Sequence, residues 1–224
     1  MTVRVVPNGD EYDKDIARGI IYAVDNGAKI INASFGKYIS PDKHYVDEAL
    51  KYAESKGVLF IHAAGNDAKD IDNNNHYPTR ECNGGDKLQN YLNVGASTMK
   101  GAAAPFSNYG KSSVDIFAPG FFIYSTQDGG LYKQENGTSM AAPMVSGAAA
   151  LLMGYFPNLK PNQVKEILLK TASDRKGTKV RKPSATKMSK TADGSDLINF
   201  EELCSSGGIL NLYSAVKYCI DNKY

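Results

Sequence analysis

One serine in this chain stands in a setting that suits a nucleophile. Ser139 lies in the segment Gly137–Gly147, GTSMAAPMVSG, at the start of a helix predicted over about 139–154. The first N–H groups of a helix have no intrahelical acceptor, and the helix dipole is positive there. Negative charge developing beside a hydroxyl in that place is stabilised, which is what attack on a carbonyl requires. Gly137 permits a tight backbone approach, and Ala141, Ala142, Gly147 and Ala148 let the helix pack through the middle of a domain. Pro143 is read as lying in the first turn, where its missing N–H loses nothing. A second segment, VLFIHAAGND from Val58 to Asp67, is an apolar run that ends in a Gly-Asn-Asp turn at Asn66. Taken singly, such a serine is more often a cap and such an asparagine a turn residue. The chemistry therefore needs elements that bring the two together.

Those elements read as strands alternating with helices. Val3, Val5 and Val6 suggest a short strand, and Ile16, Ile20, Ala23 and Val24 form one side of a helix over about 14–26, with Asn26-Gly27 as its C-cap. Residues 28–34, AKIINAS, read as a strand apolar on both faces. Ser40-Pro41 reads as an N-cap and first helical position, followed by the buried stripe Val46, Ala49, Leu50 and Ala53. Strands follow at GVLFIHAAG and at 91–97, with further strands near 113–117 and 121–126. Helices are expected from Pro161 to about Thr171 and around 211–221. Doubly apolar strands separated by helices indicate a mostly parallel sheet flanked by helices, in an α/β fold.

The eleven residues from Gly137 to Gly147 resemble the nucleophile motif of subtilisin-like serine proteases, GTSMAxPxVxG, at every defining position. The resemblance implies that Ser139 is the nucleophile and Asn66 the oxyanion-hole asparagine. Asp15 to Gly36, DIARGIIYAVDNGAKIINASFG, is similar to the family's helix-strand unit ending in N-x-S-x-G. By the same resemblance, Ser34, Phe35 and Gly36 form one wall of the substrate cleft and Ala63, Ala64 and Gly65 the other, pairing with an extended peptide. Phe106–Gly110, Val114–Gly120 and Gly208–Asn211 also match family segments. The chain is thus expected to be one partial subtilase catalytic domain over 1–224, a three-layer fold lacking its N-terminal strands, with a surface insertion at 67–90 and a basic polar insertion at 172–197.

Two parts of the expected triad are absent. The family takes its Asp from a D-[ST]-G segment and its base from H-G-T-x-V-A-G, and neither motif occurs. His62 reads as strand filler, with a rescue base as the alternative; His44 reads as solvated; His76, in NNNHYP, reads as surface. The chain alone is therefore expected to be inactive, whereas an intact parent would be a serine endopeptidase acting through an acyl-enzyme on Ser139. The alternatives are a non-catalytic peptide-binding homologue and one chain of a two-chain protease. Removing strands beside Val3 should leave an apolar edge, to be covered by another copy or by an N-terminal fragment.

Composition adds exclusions. A formal charge of +2 gives no reason to invoke nucleic acid, and no apolar run reaches the length of a membrane span. Cys82, Cys204 and Cys219 permit at most one internal disulfide; buried free thiols are the preferred reading over a Cys204–Cys219 pair. Seven Lys or Arg against one acid in 172–190 read as a solvated insertion, with a patch for an acidic partner as the alternative. The opening residues carry no signal peptide and run straight into a strand-like segment, which suggests a truncated start. The resemblance implies a secreted or cell-surface parent, often calcium-stabilised. No metal ligands map onto the chain, and no cofactor is expected.

Overall fold

The computed structural model describes residues 1–6, 9–184 and 196–224. Helix α1 spans Asp13–Asp25 and buries Ile16, Ile20, Ala23 and Val24, the i, i+4, i+7, i+8 set of one face. It ends where Gly27 takes a φ of 84°. Then come β1 (Ile30–Ala33), α2 (Lys43–Ser55), β2 (Leu59–Ala63), β3 (Tyr91–Ser97), β4 (Ile116–Pro119) and a hairpin of β5 (Ile123–Gln127) and β6 (Leu131–Glu135). Helix α3 covers Thr138–Tyr155 and α4 Pro161–Lys170. Three short strands follow, β7 (Ser173–Asp174), β8 (Lys179–Arg181) and β9 (Leu197–Asn199), then β10 (Gly208–Ile209) and α5 (Leu212–Asp221).

The main sheet has the order β1-β2-β3-β4-β10-β7, parallel except for β7. Its register sets Ile30 opposite Leu59 and Phe60 opposite Tyr91. Every residue of β2 and β3 is buried, as strands covered on both faces require. Leu59, Ile61, Leu92 and Val94 pack against Ala141, Ala142, Val145 and Ala149 of α3, with α4 and α5 behind. Phe60 and Tyr91 face α1 and α2 through Ile20, Leu50 and Ala53. The result is the expected α/β arrangement of helix, sheet and helix layers.

Three local expectations are corrected. Residues 3–6 form no strand, and β1 is the sheet edge. Val5 instead lies against α1 at Gly19, where a Cβ would come within 2.2 Å of its Cγ1. Beside β1 this leaves a hollow of about 630 Å³ lined by Val3, Ile16, Ile20, Ile30, Ile31 and Phe35 among others. The second helix begins at Lys43, not Pro41, because Ser40 Oγ donates to Asp13 Oδ1 (2.6 Å) rather than capping its own helix. The 67–90 stretch is not wholly superficial, since Ile71, His76, Cys82 and Leu88 are buried. The centre of the basic stretch, 185–195, lies outside the described residues, and its flanks pair as β8 and β9.

Asp13 ties the first two helices together. Its carboxylate accepts from Ser40 Oγ and from Asp42 N–H (3.0 Å), and pairs with Lys37 Nζ at 2.8 Å, its own side chain being 3% exposed. Burial alone would raise its pKa. The bonds from Lys37, Ser40 and Asp42 outweigh burial and hold it below its ordinary 3.8. A depressed folded-state value means the carboxylate stabilises the fold above that ordinary pH, and the contribution disappears as pH falls through the depressed value. Asp13→Asn is expected to lower stability by about 2 kcal/mol at neutral pH. Urea denaturation at neutral and at acid pH should show that difference shrinking toward the acid side.

Candidate active site

Parallel pairing sets the C-terminal ends of β1 and β2 side by side, and α3 begins above them. Thr138, the first residue of α3, is fully buried and makes three bonds there. Its N–H and its hydroxyl donate to Asn66 Oδ1 at 2.8 and 3.0 Å, and its Oγ1 accepts from Gly65 N–H at 3.1 Å. Only the carbonyl end of an amide can accept from an N–H. The Asn66 oxygen is therefore committed to Thr138, and Nδ2 is left as a donor beside Gly137, 3.6 Å from where a Cβ there would sit. Ser139 N lies 3.5 Å from the same point, whereas the N–H groups of Thr138 and Met140 are taken by Asn66 Oδ1 and Gly137 O.

Ser139 is held from β1. Pro143 proves to be the sixth residue of α3, beyond the first turn. A proline there removes the N–H that would reach the carbonyl four residues back, which is that of Ser139. Ser34 Oγ takes its place and donates to Ser139 O at 3.0 Å. In return Ser139 Oγ donates to Ser34 O at 3.2 Å. Asn32 Nδ2 donates to Ser34 Oγ (2.9 Å) and Asn32 Oδ1 accepts from Ser146 Oγ (3.0 Å), so the end of β1 is laced along the first two turns of α3.

The two expected walls are brought together. Ala63, Ala64 and Gly65 are buried, and Asn108 braces them through Nδ2 to Ala64 O (2.8 Å) and N–H to Gly65 O (2.9 Å). Phe35 O accepts from His62 Nε2–H at 2.8 Å. His62 thus fixes the wall formed by Ser34, Phe35 and Gly36. Its Nδ1 lies 2.9 Å from the hydroxyl oxygen of Tyr91, whose one proton faces both that nitrogen and Pro78 O, 2.7 Å away. Burial, and next the neighbouring His76, push its pKa down to about 3. His44 is exposed on α2. No imidazole nitrogen among the described residues is hydrogen-bonded to Ser139.

His76 departs from its surface reading. It is 6% exposed, and one ring edge touches both walls. A Cβ at Gly36 would meet His76 Cε1 at 2.2 Å and Nε2 at 2.7 Å, and one at Gly65 would meet Nε2 at 3.0 Å. The run NNNHYP has no apolar period to mark an inward-facing residue, so the placement is set by tertiary packing. Tyr38 was missed for the same reason. It packs edge-on against His76 with ring centroids 5.2 Å apart, and its hydroxyl is held by Asp67 (2.6 Å) and Asn108 (2.9 Å).

On its other side Ser139 opens onto a groove of about 530 Å³ between α3 and the β5–β6 hairpin, lined by Met140, Pro143, Met144, Ile123, Lys133 and Glu135 among others. Among the described residues no three His, Cys, Asp or Glu side chains gather into a metal donor set. The three cysteines are free and buried. No helix among the described residues is long and apolar enough to cross a membrane.

The close fit at Gly36 is testable. Gly36→Ala is expected to lower stability by about 1–3 kcal/mol through overpacking against His76. In a His76→Gly background the same substitution should cost clearly less, as read by chemical denaturation of the four proteins of the cycle.

Comparison with known proteins agrees with this geometry. The profile described as "Subtilase family" matches residues 1–193. Fervidolysin of Fervidobacterium pennivorans is 33% identical over 189 residues, 75% of this chain and 25% of that protein. Subtilisin BL of Lederbergia lenta is 38% identical over 159 residues, 70% of this chain and 54% of that protein. The patellamide maturation protease PatA superposes with a TM-score of 0.74 at 28% identity, covering 98% of this chain and 74% of that structure. The chain thus spans a quarter to about half the length of these curated relatives. With a profile match over most of its length and its sheet and α3 arranged as described, the chain belongs to the subtilase family.

Proposed function

We propose that this chain carries the nucleophile half of a serine endopeptidase site. The observation that supports the reading most is the junction of Ser139, Asn66 and Thr138, where the serine hydroxyl, the Asn66 Nδ2 amide and the Ser139 N–H share one place. In the proposed reaction a peptide lies extended between Ser34–Gly36 and Ala63–Gly65. Ser139 Oγ adds to the scissile carbonyl carbon as its proton passes to a base. The oxyanion accepts from Asn66 Nδ2 and Ser139 N–H. Collapse expels the amine, which takes that proton, and water then hydrolyses the acyl-enzyme.

The base is the part this chain does not supply. Ser139 Oγ–H donates to a backbone carbonyl, which cannot take a proton at neutral pH. His62 is spent on Phe35 O and held neutral by burial, and His76 is pushed down to about 4, chiefly by burial. Our reading is that the 224 residues alone are inactive and that a segment bearing the triad Asp and His completes the site. The exposed edge of β1 and the apolar hollow beside it favour that segment, or a second copy of the chain, as the partner there. Secretion or cell-surface placement, and calcium, rest on the family alone. The lack of any imidazole on Ser139 favours, as the second reading, a non-catalytic homologue that only binds peptides.

Labelling of the purified chain with a fluorophosphonate tests the proposal, with Ser139→Ala as control. No labelling of a folded chain is expected, and labelling should appear when a polypeptide bearing the D-[ST]-G and H-G-T segments of a subtilase is added. Labelling of the chain alone that vanishes in Ser139→Ala would contradict the inactivity. Labelling that never appears in either case would favour the peptide-binding reading.

A further inference from the structure

We propose that His76 sets which substrate side chain the cleft accepts on the N-terminal side of the scissile bond, closing the space between the two walls to all but short side chains. The inference rests on the peptide-cleft reading above and concerns this chain's own filling of that cleft. The two walls end in Gly36 and Gly65, residues that leave the space between them empty of side chain. What occupies that space is the Nε2–Cε1 edge of His76, 2.2 Å from the Cβ direction at Gly36 and 3.0 Å from that at Gly65, where Asn108 Nδ2 stands beside it at 2.3 Å. A substrate side chain entering between the walls meets this ring edge as its floor.

The ring is held in place. Tyr38 packs on it from one side, and Tyr38 is itself fixed by Asp67 and Asn108. His62 lies 5.3 Å away, centroid to centroid, and is fixed by Phe35 O. The backbone next to His76 is pinned to the first wall by Tyr77 N–H to Lys37 O (2.7 Å) and Lys37 N–H to Tyr77 O (3.1 Å). Behind the ring lies a polar cavity of about 440 Å³, lined by His76, Arg80, Asn93, Asp72 and Tyr91 among others. His76 Nδ1, Arg80 Nε and Asn93 Oδ1, all on that lining, are buried without a partner. The imidazole is thus the partition between the cleft and a second pocket, which opens to solvent through exposed Asp72, Asn83 and Lys87. Removing it joins the two and gives a long side chain somewhere to go, whereas the intact ring stops it.

Titration of the chain with acetyl-Ala-Ala-Pro-Ala and acetyl-Ala-Ala-Pro-Phe, followed at the Gly36 and Gly65 amides by NMR, separates the outcomes. The expected result is that the Ala peptide binds at least tenfold tighter than the Phe peptide. In His76→Gly the ratio should move at least tenfold toward Phe. His76→Ser serves as a second variant, and spectral dispersion reports folding in each. Equal binding of the two peptides by the wild-type chain, or an unchanged ratio in both folded variants, overturns the inference while leaving the peptide cleft standing. If neither peptide shifts Gly36 or Gly65 in any of the three proteins, the cleft reading itself fails and this inference fails with it.

Discussion

The arrangement of the candidate site depends on a hydrogen bond that helix α3 cannot make for itself. Pro143 deprives the Ser139 carbonyl of its partner one turn on, and that carbonyl is served from β1 by Ser34. The helix that carries the serine is thereby joined to the edge strand at the residue where chemistry is proposed. The bond is partly buried, and a carbonyl left without a donor there is costly, so it limits how far α3 can slide along the sheet. Asn32 and Ser146 repeat the link about two turns further along α3.

A second attachment fixes the rotation of the same helix end. Thr138 bonds to Gly65 and to Asn66, both just past the end of β2. Parallel register places the ends of β1 and β2 next to each other, so one helix start meets both. Ligand sites at the carboxyl ends of parallel strands are a general outcome of open α/β sheets. Here the proposed oxyanion donor, Asn66, and the Ser139 hydroxyl come from different elements. Their separation is set by Thr138, which precedes the serine and bonds the asparagine. The walls of the cleft inherit their positions from the same strands, through Phe35 O on His62 and Ala64 O on Asn108.

Much of this was legible in the sequence because the signals are local. The doubly apolar runs at 58–64 and 91–97, the stripe on α1 and the small residues of α3 each require a particular neighbour whatever the rest of the chain does. The segments around Ser139 and Asn66 carried the family resemblance for the same reason. What escaped depends on contacts distant in sequence. Val3 to Val6 have the composition of a strand, but strand formation needs a partner edge, and Gly19 offered a better contact. Pro143 reads as a first-turn proline because it stands close to the serine, but it is beyond the first turn whether the count starts at Thr138 or at Ser139, and the carbonyl four residues back is that of Ser139 in either case. His76 lies in a polar run and is buried only because two glycines from other elements make room for it. Ser40 looked like a helix cap and is instead a ligand of Asp13.

The claim that α3 is docked through a carbonyl freed by Pro143 and served by Ser34 is tested most directly by a double-mutant cycle. Stability would be measured by urea denaturation for the wild-type chain, Ser34→Ala, Pro143→Ala and the double variant. In the wild-type background Ser34→Ala is expected to cost about 1–3 kcal/mol, the penalty of a carbonyl left unserved. With alanine at 143 the helix can supply its own N–H, and the same substitution should cost less than about 0.5 kcal/mol. An equal cost in both backgrounds would contradict the account.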